Sequence, residues 1–239
     1  MIVLGLDTAS KSASVAVTED GMLRGEATVC HALTHSQTLM PMLSDMLCRC
    51  GMQIEQVELI GVSAGPGSFT GLRIGVATAK ALAHALGRPV VGVSTLKSIA
   101  YNLPFCAYPI AALLDARRNQ AYAGVYRHRG GVCETVMADA ALPITALLDT
   151  LDALDTPVVF AGDGTATFAD VARSRLGERA LFAPAGSNLV LASSVCALAA
   201  DEAQAGHSVR YDRLVPAYFR KSQAEREYEA RNKLKGAEQ

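Results

Sequence analysis

No stretch of this sequence approaches the roughly 20 consecutive apolar residues that a bilayer-spanning helix needs, so no membrane anchor is expected. There is no basic excess either: 22 Lys and Arg stand against 23 Asp and Glu, for a formal net charge of −1. A chain that grips an RNA backbone unaided usually carries a basic surplus or stripe. Any nucleic acid is therefore expected to be held mostly by a partner. The six cysteines (Cys30, Cys48, Cys50, Cys106, Cys133, Cys196) include no CxxC pair. That excludes the common zinc and redox spacings and fits reduced thiols of a cytoplasmic protein. No serine sits in a GxSxG elbow, and no Gly-Lys-Ser/Thr closes a Walker A loop. The apolar opening Ile2-Val3-Leu4-Gly5-Leu6 has no basic flank and runs into Asp7, so it reads as a buried strand rather than a signal peptide.

What is present is apolar material in short, punctuated runs. Half of the 239 residues are hydrophobic, enough for one large or two small cored domains. Strands are predicted over Ile2–Asp7, Ala13–Thr18 and Met22–Val29. An amphipathic helix follows, with Leu39, Leu43, Met46, Leu47 and Cys50 on one face; Thr34 or Ser36 caps it and Gly51 ends it. A buried strand Leu59–Ser63 leads through a glycine loop to a helix Leu72–Leu86, stopped by Gly87 and Pro89. Strand Val90–Val93 and a Ser94-capped helix complete a first half.

The second half repeats the order. Strands Ile110–Asp115, Gln120–Arg127 and Val132–Met137 precede helix Pro143–Leu151, strand Val158–Ala161 and helix Phe168–Leu176. Strand Ala180–Phe182 and helix Leu189–Ala205 follow. Asp7 and Asp115 end the first strand of each half, and the loops Gly65-Pro66-Gly67 and Gly162-Asp163-Gly164 correspond. Three antiparallel strands followed by α-β-α-β-α, twice, resemble the duplicated lobe of the actin-like ATPase (ASKHA, RNase H-like) superfamily. The expectation is an α/β protein of two lobes, each with a mixed five-stranded sheet and helices. The lobes are set at residues 1–103 and 104–217, with a solvated helical tail over 218–239.

In such a fold Asp7, Thr8 and Ser10 stand where phosphate and a hydrated Mg²⁺ would bind, and Gly65, Gly67 and Gly71 form a candidate anion nest. Thr8-Ala9 replaces the glycine that close phosphate approach favours. A polar turn and a glycine loop that lets a helix pack tightly explain the same residues, so these loops are expected to be vestigial. His31 and His35 are four apart but straddle a helix start, with no third ligand nearby, so no metal is expected there. Arg117-Arg118 after Asp115 fits either a phosphate contact or a local ion pair.

Several segments together resemble the TsaB family: Leu6-Asp7-Thr8-Ala9, His35 to Pro41, Gly65 to Gly75, Leu114 to Arg118 and Pro216 to Arg220. The resemblance covers essentially the whole chain. It implies a non-catalytic subunit that serves a TsaD-type catalytic subunit and a TsaE-type ATPase in threonylcarbamoylation of the adenosine beside the tRNA anticodon. TsaD-type proteins carry a His-x-x-x-His metal pair where Thr95 and Ile99 stand here. No catalytic or metal residue is thus implied, tRNA is met only through the complex, and the chain pairs with itself when alone. No nucleotide is held tightly, with ATP or ADP confined to a subunit junction. Partner contacts are expected at His35, Leu39, Leu43, Met46 and Leu47 of one helix and Leu72, Arg73, Gly75, Val76 and Ala79 of the next. The alternative is an ATP-dependent small-molecule kinase of the sugar-kinase branch, with Asp115 as a second-lobe phosphate or base residue.

Overall fold

The structure, a computed structural model, describes residues 1–30 and 34–220. Its first sheet contains β1 (Ile2–Asp7), β2 (Ala13–Glu19), β3 (Met22–Val29), β4 (Leu59–Gly65) and β5 (Val90–Ser94), in the order β3-β2-β1-β4-β5. The second contains β6 (Ile110–Asp115), β7 (Gln120–Arg129), β8 (Val132–Pro143), β9 (Val158–Ala161) and β10 (Ala180–Phe182), in the order β10-β9-β6-β7-β8. Each sheet places its meander on one side of its first strand and its two parallel strands on the other, so the duplication expected from the sequence is present.

Helices fill the layers between and outside the sheets. α1 (His35–Arg49) and α2 (Phe69–Leu86) cover the outer face of the first sheet. Leu39, Leu43, Met46 and Leu47 of α1 meet Leu4, Leu6, Val15 and Val17 there. Burying each such side chain contributes roughly 1.5–3 kcal/mol relative to exposure, so this stripe is core. α4 (Ile144–Asp152) and α5 (Thr165–Leu176) cover the outer face of the second sheet around Phe160 and Phe168.

Between the sheets lie α3 (Thr95–Tyr101) and α6 (Ala192–Gln204). Although α6 follows the second sheet in sequence, it packs on β1, β2 and β4 of the first. Gly5 and Gly61 pair across β1 and β4 and make room for it. A β-carbon on Gly5 would stand 2.3 Å from the Ala192 carbonyl oxygen, and one on Gly61 2.6 Å from the Ala199 β-carbon. The packing therefore does not divide where the strands do.

Several boundaries shift. α2 starts at Phe69 rather than Leu72 because Ser68 caps it, its hydroxyl accepting from the Gly71 N–H. Thr34 holds the N-cap position of α1, but its hydroxyl bonds Gln37 and Ser36 side chains instead of a backbone donor. β8 runs six residues further than expected, to Pro143. Tyr218, Phe219 and Arg220 are not helical; the remainder of the expected tail helix, like His31, lies outside the described residues. Among the described residues no helix is long and apolar enough to cross a membrane.

Candidate functional site

The glycine loop after β4 is spent on packing against the β1–β2 turn. β-Carbons on Gly67 and Gly71 would stand 2.4 Å from the Ala9 carbonyl oxygen and 2.0 Å from that of Thr8. The Ser68 N–H donates to the Ala9 carbonyl at 2.7 Å, and the Thr8 hydroxyl donates to the Gly71 carbonyl at 2.7 Å. Gly65, with φ +131°, lies against the Ala217 carbonyl. Three backbone donors a phosphate would need are thus occupied: Ser68 N–H by Ala9, Gly71 N–H by Ser68, and Ala9 N–H by Asp7 Oδ1 at 3.3 Å.

Asp7 itself is fully buried. Burial pushes its carboxyl up to about 7, with the Ser63 hydroxyl and the Ala9 N–H pulling the other way. Among the described residues neither Asp7 Oδ2 nor the Ser63 hydroxyl reaches hydrogen-bond geometry with any partner. A carboxyl with no access to solvent does not fit a Mg²⁺-nucleotide at this turn. Of the six residues expected to form phosphate loops, Asp7, Thr8, Gly65 and Gly71 are buried, and Ser10 and Gly67 reach the cleft beside them.

That cleft, of about 670 Å³, lies between the lobes. Lys11, Phe69 and Thr70 line it from the first lobe, Asp115, Arg117, Arg118, Tyr122 and Asp163 from the second, and Tyr218 to Arg220 from the end of the described chain. Lys11 stands 3.9 Å from Asp163, whose carboxyl is raised by burial and lowered by that lysine. Arg73 lies 3.9 Å over the Phe69 ring and donates to the Tyr218 hydroxyl at 3.1 Å, while the two rings are 4.8 Å apart. The Arg220 guanidinium donates to the Ala116 carbonyl, tying the end of the described chain to the second lobe.

The β6–β7 connection is strained. Arg117, Arg118 and Asn119 all take positive φ, at 63°, 56° and 56°. Left-handed backbone costs roughly 1–2 kcal/mol at each non-glycine residue. The turn is held by Asp115 Oδ1, which accepts the Arg117 N–H at 2.7 Å, and by the Ala116 N–H bond to the Gln120 carbonyl. Among the described residues neither arginine side chain forms an ion pair, which corrects the expectation of a local carboxylate partner.

A second concavity, about 510 Å³, separates α1 from α2 and is lined by Met40, Ser44, Cys48 and Leu82 at its surface. The residues expected at a partner surface sit deeper. Leu39, Leu43, Met46, Leu47, Leu72, Gly75, Val76 and Ala79 are buried against the chain's own sheet or turn. These positions are core, because the apolar stripe of each helix was available to only one neighbour. Arg73 is exposed, and His35 is half-buried with Nε2 3.0 Å from the Ser10 carbonyl oxygen.

A family model described as TsaD, tRNA N6-adenosine threonylcarbamoyltransferase, matches residues 30–228. TsaB of Bacillus subtilis (strain 168), a tRNA threonylcarbamoyladenosine biosynthesis protein, is 32% identical over 226 residues, 94% of this chain and 96% of that protein. This chain belongs to the TsaB family. TsaB of Escherichia coli (strain K12) is 29% identical over 94% of this chain and 96% of its own length. A Pseudomonas aeruginosa crystal structure described as an uncharacterized protein with similarity to peptidase YEAZ superposes with a TM-score of 0.80 at 31% identity, covering 92% and 99% of the two chains. ROK hexokinase from Thermus thermophilus, 17% identical with a TM-score of 0.50, shares the fold alone.

In this TsaB-family chain the start of α3 joins the two lobes. Ser94 caps the helix, accepting from the Lys97 N–H at 3.0 Å, and donates to Asp139 Oδ2 at 2.5 Å. Tyr126 donates to the other oxygen of the same carboxylate. Burial raises the Asp139 carboxyl, while the Ser94 and Tyr126 hydroxyls and Lys97 oppose that. Thr95 and Ile99 are fully buried in the layer between the sheets.

Sequence reasoning missed the aromatic side of the cleft: Phe69, Tyr122, Tyr218 and Phe219. The adjacent Tyr218-Phe219-Arg220 was the available signal, an aromatic pair directly beside a cation.

Proposed function

We propose that this chain is a non-catalytic subunit required, with a TsaD-type subunit and a TsaE-type ATPase, for threonylcarbamoylation of the adenosine beside the tRNA anticodon. The observation that carries the proposal is at α3. Thr95 and Ile99 occupy the positions that the family resemblance gives to metal-binding histidines, and both are fully buried. A threonine hydroxyl and a hydrocarbon offer no imidazole nitrogen to a metal. The closed turn around Asp7 and Thr8 supports the same reading and counts against a sugar kinase, which needs an open phosphate loop.

The first lobe, residues 1–103, carries the partner surface in this proposal. Its contact face is the solvent side of α1 and α2, around the concavity at Met40, Ser44, Cys48 and Leu82, together with Arg73. Met40 is 45% exposed there. The same face serves self-pairing when the partner is absent, and ATP or ADP is engaged only at a subunit junction in the cytoplasm. Gel filtration of the chain with and without a TsaD-type subunit tests this: a shared peak is expected, and separate elution at micromolar concentration contradicts it.

A further inference from the structure

We infer that the rim of the inter-lobe cleft is a contact site for an unpaired segment of RNA, with Arg117 and Arg118 holding phosphates and the Phe219 and Tyr218 rings offering stacking faces. The cleft lining holds four cations, Lys11, Arg117, Arg118 and Arg220, against two carboxylates, Asp115 and Asp163. That surplus sits in a chain whose formal net charge is −1. Lys11 faces Asp163, and the two oxygens of Asp115 accept from the Arg117 N–H and the Thr167 hydroxyl. The exposed guanidiniums of Arg117 and Arg118 are left facing solvent across the cleft mouth.

Their backbone argues that the placement is specific. Three successive residues lie in the left-handed region, where a hairpin usually places glycine or asparagine. Here arginine fills two of the three positions. Strain of this kind is retained where the surrounding structure fixes it, and it clusters at binding sites.

The aromatic rings select the class of anion. Phe69, Tyr122, Tyr218 and Phe219 all line the cleft, out of seven Tyr and six Phe in the chain. Tyr218 and Phe219 are 44% and 37% exposed. Exposed rings beside arginines form the stacking platform and electrostatic track of single-strand binders. A free nucleoside polyphosphate fits less well. The glycine loop packs on the carbonyl oxygens of the Thr8–Ala9 turn, and the N–H donors of Ala9, Ser68 and Gly71 are occupied. Arg117 and Arg118 lie on the opposite rim, in the second lobe. The choice of RNA over DNA rests on the function proposed above; the nucleic-acid site does not.

The test is fluorescence anisotropy of the full chain alone with a labelled, uridine-rich RNA of about twelve nucleotides, between 50 and 200 mM KCl. Each phosphate contact to a single strand contributes about −0.7 to the slope of log K against log salt. The Arg117→Ala/Arg118→Ala variant should flatten that slope by about 1.4 and weaken binding at 50 mM KCl at least tenfold. Arg118→Gln alone should give about half that change in slope, and Phe219→Leu should weaken binding about fivefold or more with the slope kept. An unchanged slope in folded arginine variants, or no binding by the parent chain at 50 mM KCl, overturns the inference. So does displacement of the RNA by micromolar ATP, which would assign the rim to a mononucleotide. Because no partner subunit is present, failure here is separate from failure to associate with a TsaD-type protein.

Discussion

The backbones of Gly71 and Thr8 touch: a β-carbon on Gly71 would stand 2.0 Å from the Thr8 carbonyl oxygen. The contact locks the first turn of α2 onto the end of β1, and it occupies the space where a bound phosphate would enter. One helix thus closes the loop beside Thr8.

Gly71→Ala should therefore destabilise by about 3 kcal/mol, since the obstruction is backbone and must shift bodily. For a chain of this size that lowers the melting temperature by roughly 6–12 °C. Gly186→Ala, where nothing lies within 4 Å, should leave it nearly unchanged. Differential scanning fluorimetry of both variants checks the contrast.

Asp7 makes stability depend on pH in an unusual direction. Its carboxyl titrates near 7 when folded, above the 3.8 of an unperturbed aspartate. Between those values the folded state keeps a proton that the unfolded state has lost, so this group's contribution falls as pH rises from about 4 to 7 and is flat above. Asp7→Asn should remove that slope and gain a few kcal/mol at pH 8 relative to the parent. Urea midpoints of both proteins at pH 5 and pH 8 measure it; equal differences at the two pH values would contradict the assignment.

Met40, on the proposed partner surface, is 45% exposed, while Leu43, one turn on, is core. Met40→Glu should break association with a TsaD-type subunit while leaving the melting temperature within about 2 °C. Leu43→Glu should unfold the chain, because its side chain is 2% exposed and would bury an unpaired carboxylate. Gel filtration and thermal melting of each variant distinguish the two.

Ser94 serves both α3 and the joint between the lobes. Ser94→Ala removes the helix cap and leaves the half-buried Asp139 carboxylate one donor short. A loss of about 1–3 kcal/mol is expected, read from urea unfolding.

Most of the fold was legible because local chemistry and tertiary packing agree. Leu39, Leu43, Met46 and Leu47 mark the α1 stripe at helical spacing, and Gly87 ends α2 in the left-handed conformation its position required. The packing partner of α6 was not legible: nothing local in Ala192–Gln204 says which sheet it will cover, and the answer lies in Gly5 and Gly61 far away in sequence. The same gap hid that the apolar stripes of α1 and α2 are buried within the chain. Periodicity finds an apolar stripe but not what covers it, and the chain's own sheet took the one on α1. At the cleft, Arg117-Arg118 was noticed, but its left-handed backbone carries no glycine signal, and Tyr218 to Arg220 reach it from over a hundred residues away in sequence.

The most direct test is reconstitution of tRNA threonylcarbamoylation from a TsaD-type subunit, a TsaE-type ATPase, this chain and a preformed activated threonylcarbamoyl donor radiolabelled in its threonine, with label incorporated into tRNA as the readout. The account predicts no incorporation when this chain is omitted, none from this chain alone, and near-parental incorporation with Thr95→Val, a change that keeps the helix packed. Incorporation by this chain without the TsaD-type subunit, or full activity in its absence, would contradict it.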